Sequence, residues 1–179
     1  SKGMPRPTKR KAIVSMKFFE KDSPLLRSGL MGPVVLQKIP TDAEQPSTEE
    51  ELRIKHGKHE IYGVLSTPDN AQKRHPIVIV SHGFNGTHHH GRNYFKMLNE
   101  LGYMCYAFDF PCGGTGSRTD NNTVNMSVPD EQKTLEAIVR YFKSRPDVDK
   151  KNIVLLGESQ GGLISALTAA RMKKDIRKL

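Results

Sequence analysis

"GESQGG", residues 157–162, stands between the apolar run "NIVLL" at 152–156 and "LISALTAA" at 163–170. A lone serine is thus bracketed by glycines where a strand gives way to a helix. A nucleophilic serine must stand clear of its own backbone, and a sharp strand-to-helix turn achieves this by holding the residue in a strained conformation. Such a turn leaves no room for side chains two positions to either side, which accounts for Gly157 and Gly161. Ser159 is therefore the candidate catalytic nucleophile. The backbone N–H of Gln160, free at the start of the helix, points to where an oxyanion would form. Gly162 lets that helix pack close to the sheet. The bare G-x-S-x-G pattern is weak and acquires meaning from its place between a buried strand and an apolar helix. The competing reading is a Gly/Ser turn in an α/β protein with no ligand.

Two more apolar runs share this character. "HPIVIVSHGFNG" at 75–86 runs unbroken into a glycine turn, and "MCYAFDF" at 104–110 runs into "PCGGTGS". Continuous apolar runs of this length predict strands buried on both faces, as in a parallel sheet. Between them "NYFKMLNELGY" predicts a short helix closing at Gly102. "SVPDEQKTLEAIVRYFKSRPD" predicts the clearest helix, with Ser127 as cap, Pro129 in the first turn, and Leu135, Ile138, Val139 and Phe142 on one face. "QGGLISALTAARMKK" predicts the helix after the serine. Upstream, "ELRIKHG" and "KHEIYGVLSTP" predict an antiparallel hairpin about the Gly57-Lys58 turn. Alternating strands and helices give fold class α/β, a mostly parallel sheet layered by helices. Residues 1–50 read as an N-terminal extension with one short strand in "SPLLRSGLMGPVVLQKIP" and a polar linker "TDAEQPSTEE"; residues 51–179 read as the α/β domain.

The loop "SHGFNG" follows an earlier central strand, so it ends at the same sheet edge as the serine turn. Its backbone N–H at Phe84 is the second candidate oxyanion donor, with Gly83 keeping the backbone near a substrate. His82 is a weak candidate for the base; a histidine directly before such a glycine more often shapes the loop. The run "HHH" at 88–90 raises a metal site, but adjacent residues do not face one centre well, and the expectation is a solvated loop with no metal. No cofactor motif is present.

The 179 residues suffice for one domain with a real core. The net charge of +9 suggests polyanion binding until its distribution is seen. Residues 1–30 hold eight Lys/Arg against two acids and 171–179 five against one, leaving fifteen basic and sixteen acidic residues between. The basicity belongs to the ends, as expected of solvated termini, and no specific nucleic-acid partner is predicted. No apolar run approaches the ~18 residues of a membrane helix, so no membrane partner is expected, and localisation is left open. Cys105 reads as a core thiol and Cys112 as solvent-facing in its glycine-rich loop; two cysteines form no disulfide framework.

With these motifs assembled, "IVIVSHGFNG", "YAFDFPCGGTGSRT", "RPDVDKKNIVLLGESQGG" and "ALTAARMKKDIRKL" resemble the α/β-hydrolase superfamily, and within it the cinnamoyl/feruloyl-esterase-like serine hydrolases, over residues 52–179. The resemblance implies a three-layer sandwich and an acyl-enzyme at Ser159, with a small-molecule carboxylic ester as substrate. It implies Phe84 and Gln160 as the oxyanion hole. It also implies a later Asp or Glu and then a His, and neither follows Ser159 in a usable place. The strand at 152–157 should moreover carry a bare outer edge. The expectation is the N-terminal part of a hydrolase of roughly 250 to 300 residues, whose missing segment, or another chain, pairs with that edge. The alternatives are a non-catalytic binding protein of the same fold, or a peptidase or thioesterase.

Overall fold

The computed structural model describes residues 46–120 and 123–179. The short strand and basic arm expected within 1–45 lie outside them.

The chain enters a hairpin whose strands are β1, Ser47–His56, and β2, His59–Pro68. Gly57 takes φ +60° in the first central position of the two-residue loop, the requirement of a II′ turn. Strand β1 begins four residues earlier than the sequence suggests. Ser47–Glu51 are all exposed and mostly charged, so they carry no apolar alternation and resemble a linker. Their backbone nonetheless pairs with Val64–Pro68, and charges on an outermost strand discourage further pairing.

Strand β3, His75–Ser81, leads through α1, His88–Arg92, and α2, Phe95–Glu100, to β4, Met104–Phe108. After a loop, α3, Val128–Ser144, leads to β5, Val148–Gly157, and then α4, Gln160–Arg171. The sheet order is β1-β2-β4-β3-β5, with β4, β3 and β5 mutually parallel and β2 antiparallel to both its neighbours. Every residue of β4 is buried, as its covered faces and paired edges require.

Two apolar layers line the sheet. One gathers Ile77, Ile79, Tyr106, Phe108, Ile153 and Leu155 under α3 and α4; the other gathers Val78, Val80, Cys105 and Ala107 under Phe95 and Leu98 of α2. The result is a three-layer α/β sandwich. Helix α3 presents the expected face: Leu135, Ile138, Val139 and Phe142 are fully buried, each worth about 1.5–3 kcal/mol of burial. Its start is fixed by Ser127 Oγ, which accepts from Asp130 N–H at 3.3 Å.

Three expectations are corrected. Cys112 is buried rather than solvent-facing, because its loop folds down beside the hairpin tip and the start of α3. The "HHH" run is not a solvated loop but opens α1, with His88 buried. The outer edge of β5 is not wholly bare: Arg177 N–H donates to Ile153 O at 2.8 Å and Leu155 N–H donates to Lys178 O at 3.1 Å. Helix α4 stops at Arg171, so the chain turns back in time to reach that edge.

The strand order sets where ligands can sit. The chain leaves β3 toward β4 on one side, with α1 and α2 on one face; it returns past β3 to β5 with α3 on the other face. Loops leaving the carboxyl ends of β3 and β5 therefore diverge, and the crevice between them is a topological switch point.

Candidate active site

Ser81 at the end of β3 pairs with Gly157 at the end of β5, so the two loops that follow begin side by side. Glu158 N–H donates to Ser81 O at 3.0 Å, carrying the pairing one residue into the turn. Ser159 then takes φ 51°, ψ −119° at the N-terminus of α4. That region is costly for a residue with a Cβ, of order 1–3 kcal/mol. Only strong external constraint sustains it, and the glycines show the constraint. A Cβ on Gly157 would lie 2.3 Å from Gly161 O, and one on Gly161 would lie 2.2 Å from Ser81 O. The side chain of Ser159 is exposed.

Among the described residues, left-handed φ at a non-glycine occurs at Asn85, Cys112 and Ser159. These lie in the loops after β3, β4 and β5 respectively, so the strained backbone collects at one end of the sheet. The loops also touch. Gly114 N–H donates to Gly86 O at 2.8 Å, and a Cβ on Gly83 would lie 3.2 Å from Ser159 Cβ. Gly83 thus brings the "SHGFNG" backbone against Ser159. Phe84, next along, is exposed at 59%, so its side chain is not held in the core.

His82 has neither ring nitrogen to spare. Its Nδ1 faces Gly83 O at 2.8 Å, and its Nε2 accepts from Phe110 N–H at 3.1 Å. Those partners fix the neutral tautomer with the proton on Nδ1, and burial pushes the pKa below its ordinary value. The ring ties the loop after β3 to the end of β4. His88 is buried and tied through one ring nitrogen. Its Nδ1 and backbone N–H both meet Asp109 Oδ1, at 2.9 and 2.6 Å, while Arg118 N–H donates to the other oxygen at 2.7 Å. The ring centroids of His88 and His89 lie 4.1 Å apart, while His90 Nδ1 turns to the Thr87 backbone.

Two residues without any local sequence signal hold the turn. Tyr94 OH donates to Glu158 Oε1 at 2.7 Å, and that bond, with partial burial, raises the tyrosine pKa. Gln160 Nε2–H donates to Glu131 Oε2 at 2.6 Å; Glu131 is 4% exposed, and burial raises its carboxyl pKa. Their sequence separations, 64 and 29 residues, put them beyond any pattern readable along the chain. Glu131 also lines a cleft of about 360 Å³ with His56, Cys112, Ser127, Asp130 and Thr134.

The family profile described as alpha/beta hydrolase fold matches residues 76–179, from the start of β3 through the serine turn to the last residue. The chain belongs to the α/β-hydrolase family. Among its relatives is a Mycoplasma pneumoniae protein designated esterase/lipase 2, 26% identical over 108 residues, 60% of this chain and 37% of that protein. Est1E of Butyrivibrio proteoclasticus, solved with ferulic acid bound, superposes with TM-score 0.62 at 26% identity, over 70% of this chain and 49% of its own. The α/β hydrolase GrgF from Penicillium sp. sh18 superposes with TM-score 0.59 at 27% identity, over 72% of this chain and 43% of its own. The chain spans half or less of the length of these relatives. The Mycoplasma protein is designated an esterase/lipase and GrgF an α/β hydrolase, in agreement with the resemblance carried by the motifs.

Proposed function

We propose that this chain is the nucleophile-bearing part of a serine esterase that cleaves carboxylic esters through an acyl-enzyme at Ser159. Ser159 Oγ attacks the ester carbonyl, and the backbone N–H groups of Phe84 and Gln160 donate to the oxyanion of the tetrahedral intermediate. Collapse expels the alcohol and leaves the acyl group on Oγ; water then releases the acid. The observation that carries this reading is the left-handed, exposed Ser159 at the start of α4, with the backbone of Gly83 packed against it.

The general base and its acid partner belong, in this reading, to polypeptide outside these 179 residues. Both ring nitrogens of His82 are taken by backbone groups, and His88 is buried with its Nδ1 on Asp109. The relatives are longer, the matched segments making up 49% of Est1E and 37% of the Mycoplasma protein. An apolar groove of about 340 Å³ lies along the outer side of β5, lined by Val154, Leu156, Gly162 and Leu179, where further chain would pair. Est1E holds ferulic acid, so hydroxycinnamate esters are the first substrates to test.

The deciding experiment treats the protein at its full natural length with a fluorophosphonate and maps the adduct by mass spectrometry. Labelling at Ser159, absent from Ser159→Ala, supports the reading. Unlabelled Ser159 alongside a folded protein sinks it and favours a non-catalytic member of the fold.

A further inference from the structure

Ser159 is flanked in sequence by two polar side chains that reach away from each other across the sheet. Glu158 goes to Tyr94, which packs with the layer under α2; Gln160 goes to Glu131 on α3, whose core face is in the opposite layer. A strained residue relaxes by rotating the peptide on either side of it, and either rotation would swing the 159–160 N–H away from its target. Glycine contacts exclude bulk from the turn but do not fix those peptides by themselves. The two hydrogen bonds do so from both flanks. Both are charge-assisted, at 2.7 and 2.6 Å, and stronger than neutral pairs for that reason. The partner of Gln160 is buried, so an unmade bond there would leave a carboxylate without its donor, and the pair is held closed.

We propose that Tyr94 and Glu131 are positioning residues for the Ser159 turn, clamping Glu158 and Gln160 from opposite faces of the sheet so that the serine and the 160 N–H keep their aim. This rests on the reading of Ser159 as nucleophile, and the test separates the two. Glu131 makes a further connection, because it also walls the 360 Å³ cleft; the clamp on Gln160 is thereby in contact with whatever fills that space.

The experiment compares Tyr94→Phe, Glu131→Ala and Glu131→Gln at full natural length. Amide hydrogen exchange is read at Gly161, Gly162 and Leu163, whose N–H groups bond to Glu158 O and Ser159 O, together with kcat and KM on a hydroxycinnamate ester. Tyr94→Phe and Glu131→Ala should each speed exchange at those amides about tenfold while β3 and β4 amides are unchanged. Each should lower kcat about tenfold with KM within about twofold, the scale expected of a misaimed reacting group. Glu131→Gln keeps an acceptor for Gln160 and should restore both. The proposal is overturned by unchanged exchange at 161–163 in both weakened variants, or by Glu131→Gln failing as Glu131→Ala does. If Ser159→Ala retains full hydrolysis, the nucleophile assignment fails instead, and the exchange data still decide the clamp.

Discussion

A Cβ on Gly161 would sit 2.2 Å from the carbonyl oxygen of Ser81, so helix α4 begins as close to the end of β3 as a backbone can come. This contact joins the strand pairing of Ser81 with Gly157 to the strained geometry of Ser159. Neither backbone can retreat, since one is paired in the sheet and the other is bonded into the turn.

Gly161→Ala should therefore destabilise the fold by about 1–3 kcal/mol or more, as overpacking against rigid backbone does, and abolish fluorophosphonate labelling of Ser159. Urea midpoints at constant m-value measure the first effect. A variant that folds with wild-type stability would show that α4 can shift away from Ser81.

Phe84 separates a side-chain role from a backbone one. Phe84→Ala removes an exposed ring and should change stability by less than about 0.5 kcal/mol while leaving labelling intact. Phe84→Pro deletes the N–H and should slow turnover ~100- to 1,000-fold, the loss typical of one oxyanion donor. Equal rates for the two variants would remove Phe84 from the oxyanion hole.

The pH dependence of stability follows from His82, whose burial lowers its pKa below 6.5. Unfolded, the imidazole takes up a proton near 6.5; folded, it does so only at lower pH. The unfolded state thus binds more protons in that interval, so stability is fully present above about 6.5 and declines as pH falls toward the folded value. Asp147 behaves in the same direction further down, because its bond to Arg145 lowers the carboxyl pKa below 3.8. Imidazole ¹⁵N shifts should show His82 neutral with the proton on Nδ1 at pH 7. A cationic ring there would contradict the bond that Nε2 accepts from Phe110 N–H.

Helix α3 offers a control distant from the serine. Phe142 is fully buried and packs edge-on against Tyr106, with centroids 4.8 Å apart. Phe142→Ala should cost about 3–5 kcal/mol, and Ser127→Ala about 0.5–2 kcal/mol through the lost cap. Calorimetry on the two variants checks the ranking.

Features that repeat along the chain were legible in the residues alone. Apolar runs located β3, β4 and the second half of β5 because a strand covered on both faces needs apolar residues at every position. The cap at Ser127 and the spacing of Leu135, Ile138, Val139 and Phe142 located α3, and glycines spaced around Ser159 marked the tight turn. Each signal is a local steric or periodic requirement, so it is written in neighbouring residues.

What depends on which strand lies beside which was decided only by the tertiary structure. Ser47–Glu51 look like a linker until β2 pairs with them. Cys112 and His88 look solvated until a loop and a short helix close over them. Glu131 and Tyr94 acquire their connection to Ser159 only because the chain leaving β4 crosses past β3 to pair β5 with its far edge, bringing α3 to one flank of the turn and α2's approach to the other. A sequence specifies its local geometry through nearest neighbours, but a hydrogen bond between residues 64 positions apart exists only once the sheet has chosen its order.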